Sequence, residues 1–136
     1  MTLKAKKVYK VLVVDDDRSL LQVLLTLLEI ENCHVEAADS PFVAMGMVRQ
    51  QPFDLILADL RMPRMDGLQF LRAARLFSPD AEVVLMTAYP TEETEKAAVE
   101  QGVDTYLYKP FKLDELKSIL RRAADRAATH PSTPAT

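Results

Sequence analysis

Residues 11–16 read Val11-Leu12-Val13-Val14-Asp15-Asp16, four aliphatic residues followed at once by two carboxylates. A short run of β-branched and aliphatic residues predicts a strand that is buried on both faces. Three more runs of this kind follow, and each ends in a polar residue. They are residues 55–58 before Asp59, residues 83–86 before Thr87 and residues 106–108 before Lys109. The pattern therefore predicts four strands that each deliver a polar side chain at the carboxyl end.

Stretches long enough for helices separate these runs, and residues 34–38 form a further, weaker strand pattern. Alternating strands and helices predict an α/β domain with a parallel sheet. In such a sheet, sites form in the crevice outside the carboxyl ends of the strands. We therefore expect the three carboxylates, the hydroxyl and the ammonium group that end these runs to meet in one place.

Composition narrows the class of protein. The chain has 136 residues, of which 49% are hydrophobic, and this suits one domain with a single core. A formal net charge of -3 predicts no direct binding of nucleic acid. The most apolar stretch, residues 20–28, is far shorter than the roughly 20 residues that a membrane span needs. With Cys33 as its only cysteine and no export pattern at its start, the protein is expected to be cytoplasmic.

Five helices are predicted from cap residues and apolar spacing. The first two begin after Asp17 and Ser40, and the third begins near Gly67. The fourth begins at Thr91 and the fifth at about Leu113. The first, over residues 18–31, carries eight apolar residues and is expected to pack deeply. The third is expected to bury Leu76.

The fourth helix has only Ala97, Ala98 and Val99 as clear apolar residues, which predicts weak docking. The domain is expected to span residues 1–127. Residues 128–136 are polar and proline-containing, which is typical of a flexible tail or of the start of a linker.

Converging carboxylates would repel one another. Two of them about 5 Å apart repel by roughly 3 kcal/mol at an effective dielectric constant near 20. Lys109 offers one positive charge, and a divalent cation would offer more. Oxygen ligands without histidine or thiolate favour Mg²⁺ or Mn²⁺. Aspartates after strands also serve as turn and cap residues; we assign that role to Asp17 and favour the metal role for Asp15 and Asp16.

Four motifs together resemble one family, the receiver domain of two-component response regulators, over residues 8–127. They are residues 13–17 (Val-Val-Asp-Asp-Asp), residues 59–63 followed by Gly67, Thr87-Ala88, and residues 106–111 (Tyr-Leu-Tyr-Lys-Pro-Phe). Each motif alone is weak, but all four in this order are specific. The resemblance implies a flavodoxin-like (βα)5 three-layer sandwich with a five-stranded parallel sheet of order 2-1-3-4-5.

The resemblance also implies roles for individual residues. Asp59 would accept a phosphoryl group, and Thr87 and Lys109 would contact that group. The expected metal ligands are Asp15 (through water), Asp16, Asp59 and the backbone carbonyl of Arg61. Thr87 and Tyr106 would act as the switch pair. The residues expected to shape the site are Pro63, Gly67, Ala88 and Pro110, with the Lys109-Pro110 peptide bond in the cis form.

The implied function is a phosphorylation-activated signalling switch rather than an enzyme acting on other molecules. The phosphoryl donor would be a sensor histidine kinase or a phosphotransfer protein. The fourth helix, last strand and last helix would form the switching surface, a candidate for homodimerisation or partner docking. A C-terminal output domain outside this chain is also expected.

Three other functions fit parts of this pattern. A Mg²⁺-dependent phosphatase of the haloacid-dehalogenase type uses a similar residue set, but it needs an acid two residues after the nucleophile, where this chain has Arg61. A flavin or dinucleotide module needs a glycine-rich turn after the first strand, which is missing. A degenerate receiver that only binds partners is disfavoured by the intact acidic set.

Overall fold

Strands and helices alternate throughout residues 9–129, which are the part of the chain that the computed structural model describes. In chain order the elements are β1 (Tyr9–Val14), α1 (Arg18–Ile30), β2 (Cys33–Ala38), α2 (Pro41–Gln50), β3 (Leu55–Asp59), α3 (Gly67–Phe77), β4 (Glu82–Thr87), α4 (Glu92–Glu100), β5 (Thr105–Tyr108) and α5 (Leu113–Thr129). None of these helices is both long and apolar enough to cross a membrane. Of the predicted tail, residues 128 and 129 belong to α5, and residues 130–136 lie outside the described residues.

The sheet has five parallel strands in the order β2-β1-β3-β4-β5, as predicted. Its register aligns the strand ends: Val14 pairs with Ala58, Asp59 with Met86, and Thr87 with Tyr108. The polar residues at the ends of the strands therefore meet on one side of the sheet, which we call its carboxyl end. The opposite side, where β1 begins at Tyr9 and β4 begins at Glu82, is the amino end.

Both faces of the sheet are covered, which makes three layers. In β1, Val11 and Val13 pack in one core cluster with residues of α1 and α5, whereas Leu12 and Val14 pack in a second cluster with residues of α2, α3 and α4. This alternation is the two-residue period of a strand. Since both faces are apolar, the strand sequence is continuously hydrophobic, as in residues 11–14.

Capping side chains explain why the helices begin where they do. The Asp17 carboxylate accepts hydrogen bonds from the backbone N–H groups of Ser19 and Leu20. Ser40 does the same for Phe42 at the start of α2, where Pro41 occupies the first helical position. These caps satisfy N–H groups that the first helical turn leaves without partners. The predicted starts of α1 and α2 are therefore confirmed.

Two packing predictions are wrong in part. Leu76 was expected to be buried, but it is 80% exposed on the outer side of α3. In α1, Leu21, Leu24 and Leu28 are buried, whereas Val23 and Ile30 point outward. Apolar residues that flank a helical stripe sit at its border, so sequence spacing alone does not assign them to the core.

Candidate phosphoacceptor site

The turn after β1 holds three successive aspartates in three different environments. Asp15 is fully buried, and its Oδ1 accepts a hydrogen bond from the Asp17 backbone N–H at 2.9 Å. Asp16 is exposed, and Asp17 caps α1. Asp15 is thus a turn-forming residue and a buried carboxylate at the carboxyl end. The turn and metal interpretations of this residue are therefore compatible.

A lysine from the loop after β5 joins two of the carboxylates. Lys109 Nζ lies 2.6 Å from Asp15 Oδ2 and 2.9 Å from Asp59 Oδ1. Asp59 ends β3 and is 7% exposed, so both carboxylates are largely shielded from water. The polar residues at the predicted strand ends indicated that these side chains would lie close together, although Asp15 and Lys109 are 94 residues apart in the sequence.

Thr87 is held at the end of β4 beside this group. It is 1% exposed, and its Oγ1 accepts a hydrogen bond from the Tyr89 backbone N–H at 3.1 Å. The Lys109 backbone N–H donates to the Thr87 carbonyl at 2.7 Å, which ties the lysine loop to the end of β4. The Lys109-Pro110 peptide bond is cis, so that prediction is confirmed.

The ionisation of the cluster follows from burial and from its uneven charge. Burial raises the pKa of Asp59, and the Asp15 and Asp16 carboxylates raise it further, against the lowering effect of the Lys109 hydrogen bond. Burial lowers the pKa of Lys109, but its hydrogen bonds to Asp15 and Asp59 outweigh this, so the pKa of Lys109 is above its ordinary value. Lys109 is therefore cationic, and the negative charge on Asp59 is less favourable in this site than in water.

Gly67 is required by close packing rather than by its backbone angles. A β-carbon at this position would lie 2.3 Å from the Asp59 carbonyl oxygen and 2.7 Å from Leu85 Cδ1. The Gly67 backbone N–H donates to the Leu60 carbonyl at 2.8 Å. Glycine thus lets α3 begin against the backbone of the candidate phosphoacceptor.

The aspartates form a group suited to a cation. One carboxylate oxygen each from Asp15, Asp16 and Asp59 lie within 4.8 Å of one another. With Lys109, this carboxyl-end cluster contains three carboxylates and one ammonium group, so its formal charge is negative. An all-oxygen donor set with excess negative charge fits a hard divalent cation such as Mg²⁺ better than zinc.

The mouth of the site is bordered by Arg61 and Tyr89. The Arg61 guanidinium carbon lies 5.7 Å from the centre of the Tyr89 ring, a cation–π contact. Beside them is a cavity of about 590 Å³ lined by Asp16, Leu60, Arg61, Met62, Pro63, Asp66 and Thr94. Pro63 and Arg61 therefore border the approach to the aspartates.

Residues 11–121 of this chain match the sequence model of a protein family, the response regulator receiver domain. The chain belongs to this family. The matched segment contains the whole carboxyl-end cluster.

Known proteins are similar to this receiver domain in sequence and in structure. The transcriptional regulatory protein ZraR of Escherichia coli is 41% identical over 120 residues, which cover 88% of this chain and 27% of that protein. The response regulator MprA of a Mycobacterium species is 33% identical over 128 residues, covering 93% of this chain and 56% of that protein. The chain thus spans about a quarter of the length of the first relative and about half of the second.

Solved structures show the same fold. A CheY-like receiver domain protein from Methanospirillum hungatei superposes with a TM-score of 0.84 at 27% identity, over 90% of this chain and 99% of that one. A response regulator from Burkholderia pseudomallei, solved with a phosphorylated aspartic acid, a calcium ion and citrate, has a TM-score of 0.78 at 26% identity, over 94% and 76%.

Membership of this family, together with Arg61 at the position where the phosphatase type has an acid, favours the signalling function over the haloacid-dehalogenase alternative.

Tyr106 of the receiver domain is half-buried against the core, as predicted, but its hydroxyl has a partner that the sequence did not reveal. Its oxygen lies 2.8 Å from Thr94 Oγ1. Thr94 also forms a reciprocal cap with Thr91 at the start of α4. Two residues along β5, the Tyr108 hydroxyl donates to the Glu95 carboxylate. The spacing of three residues between Thr91 and Thr94 is a signal that could have found the cap, whereas the pairing with β5 depends on tertiary structure.

Ala88, expected to leave room at the site, is exposed and lines an apolar groove next to the cluster. This groove of about 360 Å³ runs between α1 and the loop that contains Lys109. Its apolar lining includes Leu20, Val23, Leu27 and Phe111. The receiver domain thus presents an apolar surface continuous with the candidate phosphoacceptor site.

Proposed function

We propose that this receiver domain is a phosphorylation-activated switch in which Asp59 accepts a phosphoryl group from the phosphohistidine of a sensor histidine kinase or phosphotransfer protein. The observation that carries the proposal is the buried Asp59 carboxylate held 2.9 Å from Lys109 and within reach of two more carboxylates. The response regulator from Burkholderia pseudomallei, whose structure contains a phosphorylated aspartic acid, supports the same chemistry.

The proposed transfer forms a bond from an Asp59 carboxylate oxygen to phosphorus and breaks the bond from phosphorus to the histidine nitrogen, which takes up a proton. Such transfers depend on positioning and charge neutralisation more than on proton chemistry. Lys109, cationic and fixed by Asp15, is placed to neutralise one phosphoryl oxygen. The Thr87 hydroxyl, which accepts only from the Tyr89 backbone N–H among the described contacts, can donate to another.

Mg²⁺ or Mn²⁺ is the proposed cofactor, held by Asp16, Asp59 and the Arg61 carbonyl, with Asp15 acting through water. When bound, the cation would supply positive charge next to the transferring group. The group of three carboxylates fits this role because Lys109 alone leaves it negatively charged. The chain is proposed to assist only its own phosphorylation and dephosphorylation, and so is not proposed to be an enzyme acting on other substrates.

The apolar groove between α1 and the Lys109 loop is the proposed docking face for the phosphodonor. A donor must bring its phosphohistidine to Asp59, and this groove adjoins the site through Asp17, Ala88 and Lys109. Its apolar lining suits an amphipathic helix of the donor protein. Cytoplasmic location, predicted from the sequence, remains part of this proposal.

The proposed switching surface consists of α4, β5 and α5. Among the described side chains of α4, only Ala98 is fully buried, while Val99 is 77% exposed. A helix with so little apolar burial can shift at low cost. Its N-terminal cap is joined to Tyr106 through Thr94, and Thr87 lies just upstream. The surface is a candidate for homodimerisation or for docking of an output domain, as the curated relatives are longer regulatory proteins.

Phosphorylation of the intact chain tests the proposal. Incubation with acetyl phosphate and Mg²⁺ should add the mass of one phosphoryl group, labile to base and hydroxylamine, in the wild type but not in Asp59→Asn. Asp54→Asn is the matched control, since Asp54 precedes β3 at the opposite edge of the sheet and accepts from the Lys10 backbone N–H. Equal incorporation in Asp59→Asn would refute the assignment of the phosphoacceptor.

A further inference from the structure

A second set of charged residues crosses the amino end of the sheet, far from the site. Glu82 begins β4 and is 3% exposed, yet it carries a carboxylate. Arg122 Nε lies 2.8 Å from its Oε2, and Arg126 Nη1 lies 3.4 Å from its Oε1. A buried carboxylate needs such partners, and both come from α5. The second half of α5 is therefore fastened to the start of β4.

Asp104, just before β5, extends this connection to α3. Its Oδ1 accepts from Arg126 Nη1 at 3.1 Å. Its Oδ2 accepts from the Val83 backbone N–H at 2.8 Å and lies 3.5 Å from Arg75 Nη2. Asp104 is thus anchored to the sheet and shared between an arginine of α3 and an arginine of α5. We call Arg75, Glu82, Asp104, Arg122 and Arg126 the amino-end cluster.

Arg75 also holds the end of α4. Its guanidinium donates to the carbonyls of Gly102 at 2.7 Å and Gln101 at 3.2 Å, which follow the helix. These contacts are shorter than the one from Arg75 to Asp104. A cleft of about 210 Å³ beside Arg75, lined in part by Leu71, Glu100 and Val103, leaves space at this end of α4. Arg75 is therefore positioned to respond to a displacement of α4.

We propose that Asp104 and Arg126 relay a displacement of α4 to the second half of α5. When α4 moves, the carbonyls after it release Arg75, which then pairs more closely with Asp104. Asp104 in turn gives up part of its bond to Arg126, and α5 is held less firmly against β4. The relay rests on the proposed function, because phosphorylation of Asp59 supplies the displacement. It adds a route from the site to the helix at the carboxyl end of the described chain.

Amide hydrogen exchange of the full chain, measured with and without Mg²⁺ and beryllofluoride, a mimic of the phosphoryl group, tests the relay. The key variant is Arg126→Gln, which leaves Glu82 paired with Arg122 and Asp104 with Arg75. The matched control is Arg121→Gln, an exposed arginine on the same helix that makes no ion pair among the described residues. Arg126→Lys is a second variant that keeps the charge but replaces the guanidinium, whose Nη1 contacts both acids, by an ammonium group on a shorter side chain. Thermal unfolding establishes that each variant is folded.

Beryllofluoride should change exchange in residues 92–108 and in residues 119–129 of the wild type and of Arg121→Gln. In Arg126→Gln and Arg126→Lys, the change in residues 92–108 should remain and the change in residues 119–129 should be lost. A change in α5 that persists in both Arg126 variants, or that is missing from the wild type while α4 responds, overturns the relay and leaves the proposed function standing. No response anywhere in the wild type overturns both.

Discussion

The two ends of the sheet hold acidic residues in opposite ways. At the carboxyl end, Asp15, Asp16 and Asp59 face a single lysine, Lys109. At the amino end, two acids meet three arginines: Glu82 with Arg122 and Arg126, and Asp104 with Arg126 and Arg75. One end has an excess of negative charge within the described residues, and the other has more cationic partners than acids.

This difference separates a site suited to a cation from contacts that hold helices in place. Carboxylates in excess repel one another, so a bound cation would stabilise the carboxyl end. At the amino end each acid already has two arginine partners, and these contacts tie α3, α4 and α5 to the sheet. Under the proposed function, the same residue types serve chemistry at one end and architecture at the other.

The largest expected effect is on stability at the amino end. Glu82→Gln removes the charge that Arg122 and Arg126 contact and should lower the free energy of unfolding by about 2 kcal/mol, since hydrogen bonds to charged groups are stronger than neutral ones. Urea unfolding measures this. Glu29→Gln, at an exposed position of α1, should change it by less than about 0.5 kcal/mol. Equal effects of the two changes would contradict a structural role for Glu82.

Neutralising an acid at the carboxyl end should have the opposite sign. Burial raises the pKa of Asp59, so the fold favours its protonated form. The stability that this preference contributes is present below the unfolded pKa of about 3.9 and is lost as pH rises through the raised folded pKa. Asn resembles the neutral form. Asp59→Asn should therefore raise the free energy of unfolding at pH 7 without divalent cations, by about 1 kcal/mol.

The control for this prediction is Asp54→Asn. Asp54 accepts a backbone hydrogen bond from Lys10, so weakening that acceptor should leave stability unchanged or lower. The advantage of Asp59→Asn should shrink as the pH falls toward 3.5. A loss of stability in Asp59→Asn at pH 7 would show that the Lys109 contact outweighs burial and carboxylate repulsion.

The sequence predicted the carboxyl end better than the amino end, for a physical reason. Strands that are buried on both faces have continuous apolar sequences. Because the strands of a parallel sheet end on the same side, the residues that follow these runs lie together at the carboxyl end of the sheet. Asp15, Asp59, Thr87 and Lys109 could therefore be grouped from their positions alone. The resemblance to a family added the roles of these residues and the cis bond before Pro110.

Other features were not accessible from the sequence. Glu82, Asp104 and the arginines of α5 look like ordinary surface charges until the register of β4 and the packing of α5 are known. The pairing of Tyr106 with Thr94 depends equally on tertiary structure. The prediction that Leu76 is buried was wrong because helical spacing does not fix the border of an apolar face.

The smallest expected effect concerns the mouth of the carboxyl end. Arg61 and Tyr89 contact each other across it and should hinder the water that hydrolyses the phosphorylated aspartate. Replacing both by alanine should speed loss of the phosphoryl group about two- to five-fold, from a cation–π contact of about 0.5–1 kcal/mol. Decay of the phosphorylated mass over time measures the rate. Arg64→Ala, in the same loop, is the control, and an unchanged rate in the double variant would show that the mouth is already open to water.

The difference between the two ends is tested most directly by Mn²⁺ titration of the ¹⁵N-labelled chain, followed by NMR. Bound Mn²⁺ broadens the signals of nearby amides. Signals of residues 14–17 and 59–62 should disappear first, while those of residues 82–84 and 104–106 persist at the same Mn²⁺ concentration, and Asp59→Asn should weaken the effect. Broadening that begins at Glu82 and Asp104, or that develops equally at both ends, would contradict the assignment of the carboxyl end as the cation-dependent site.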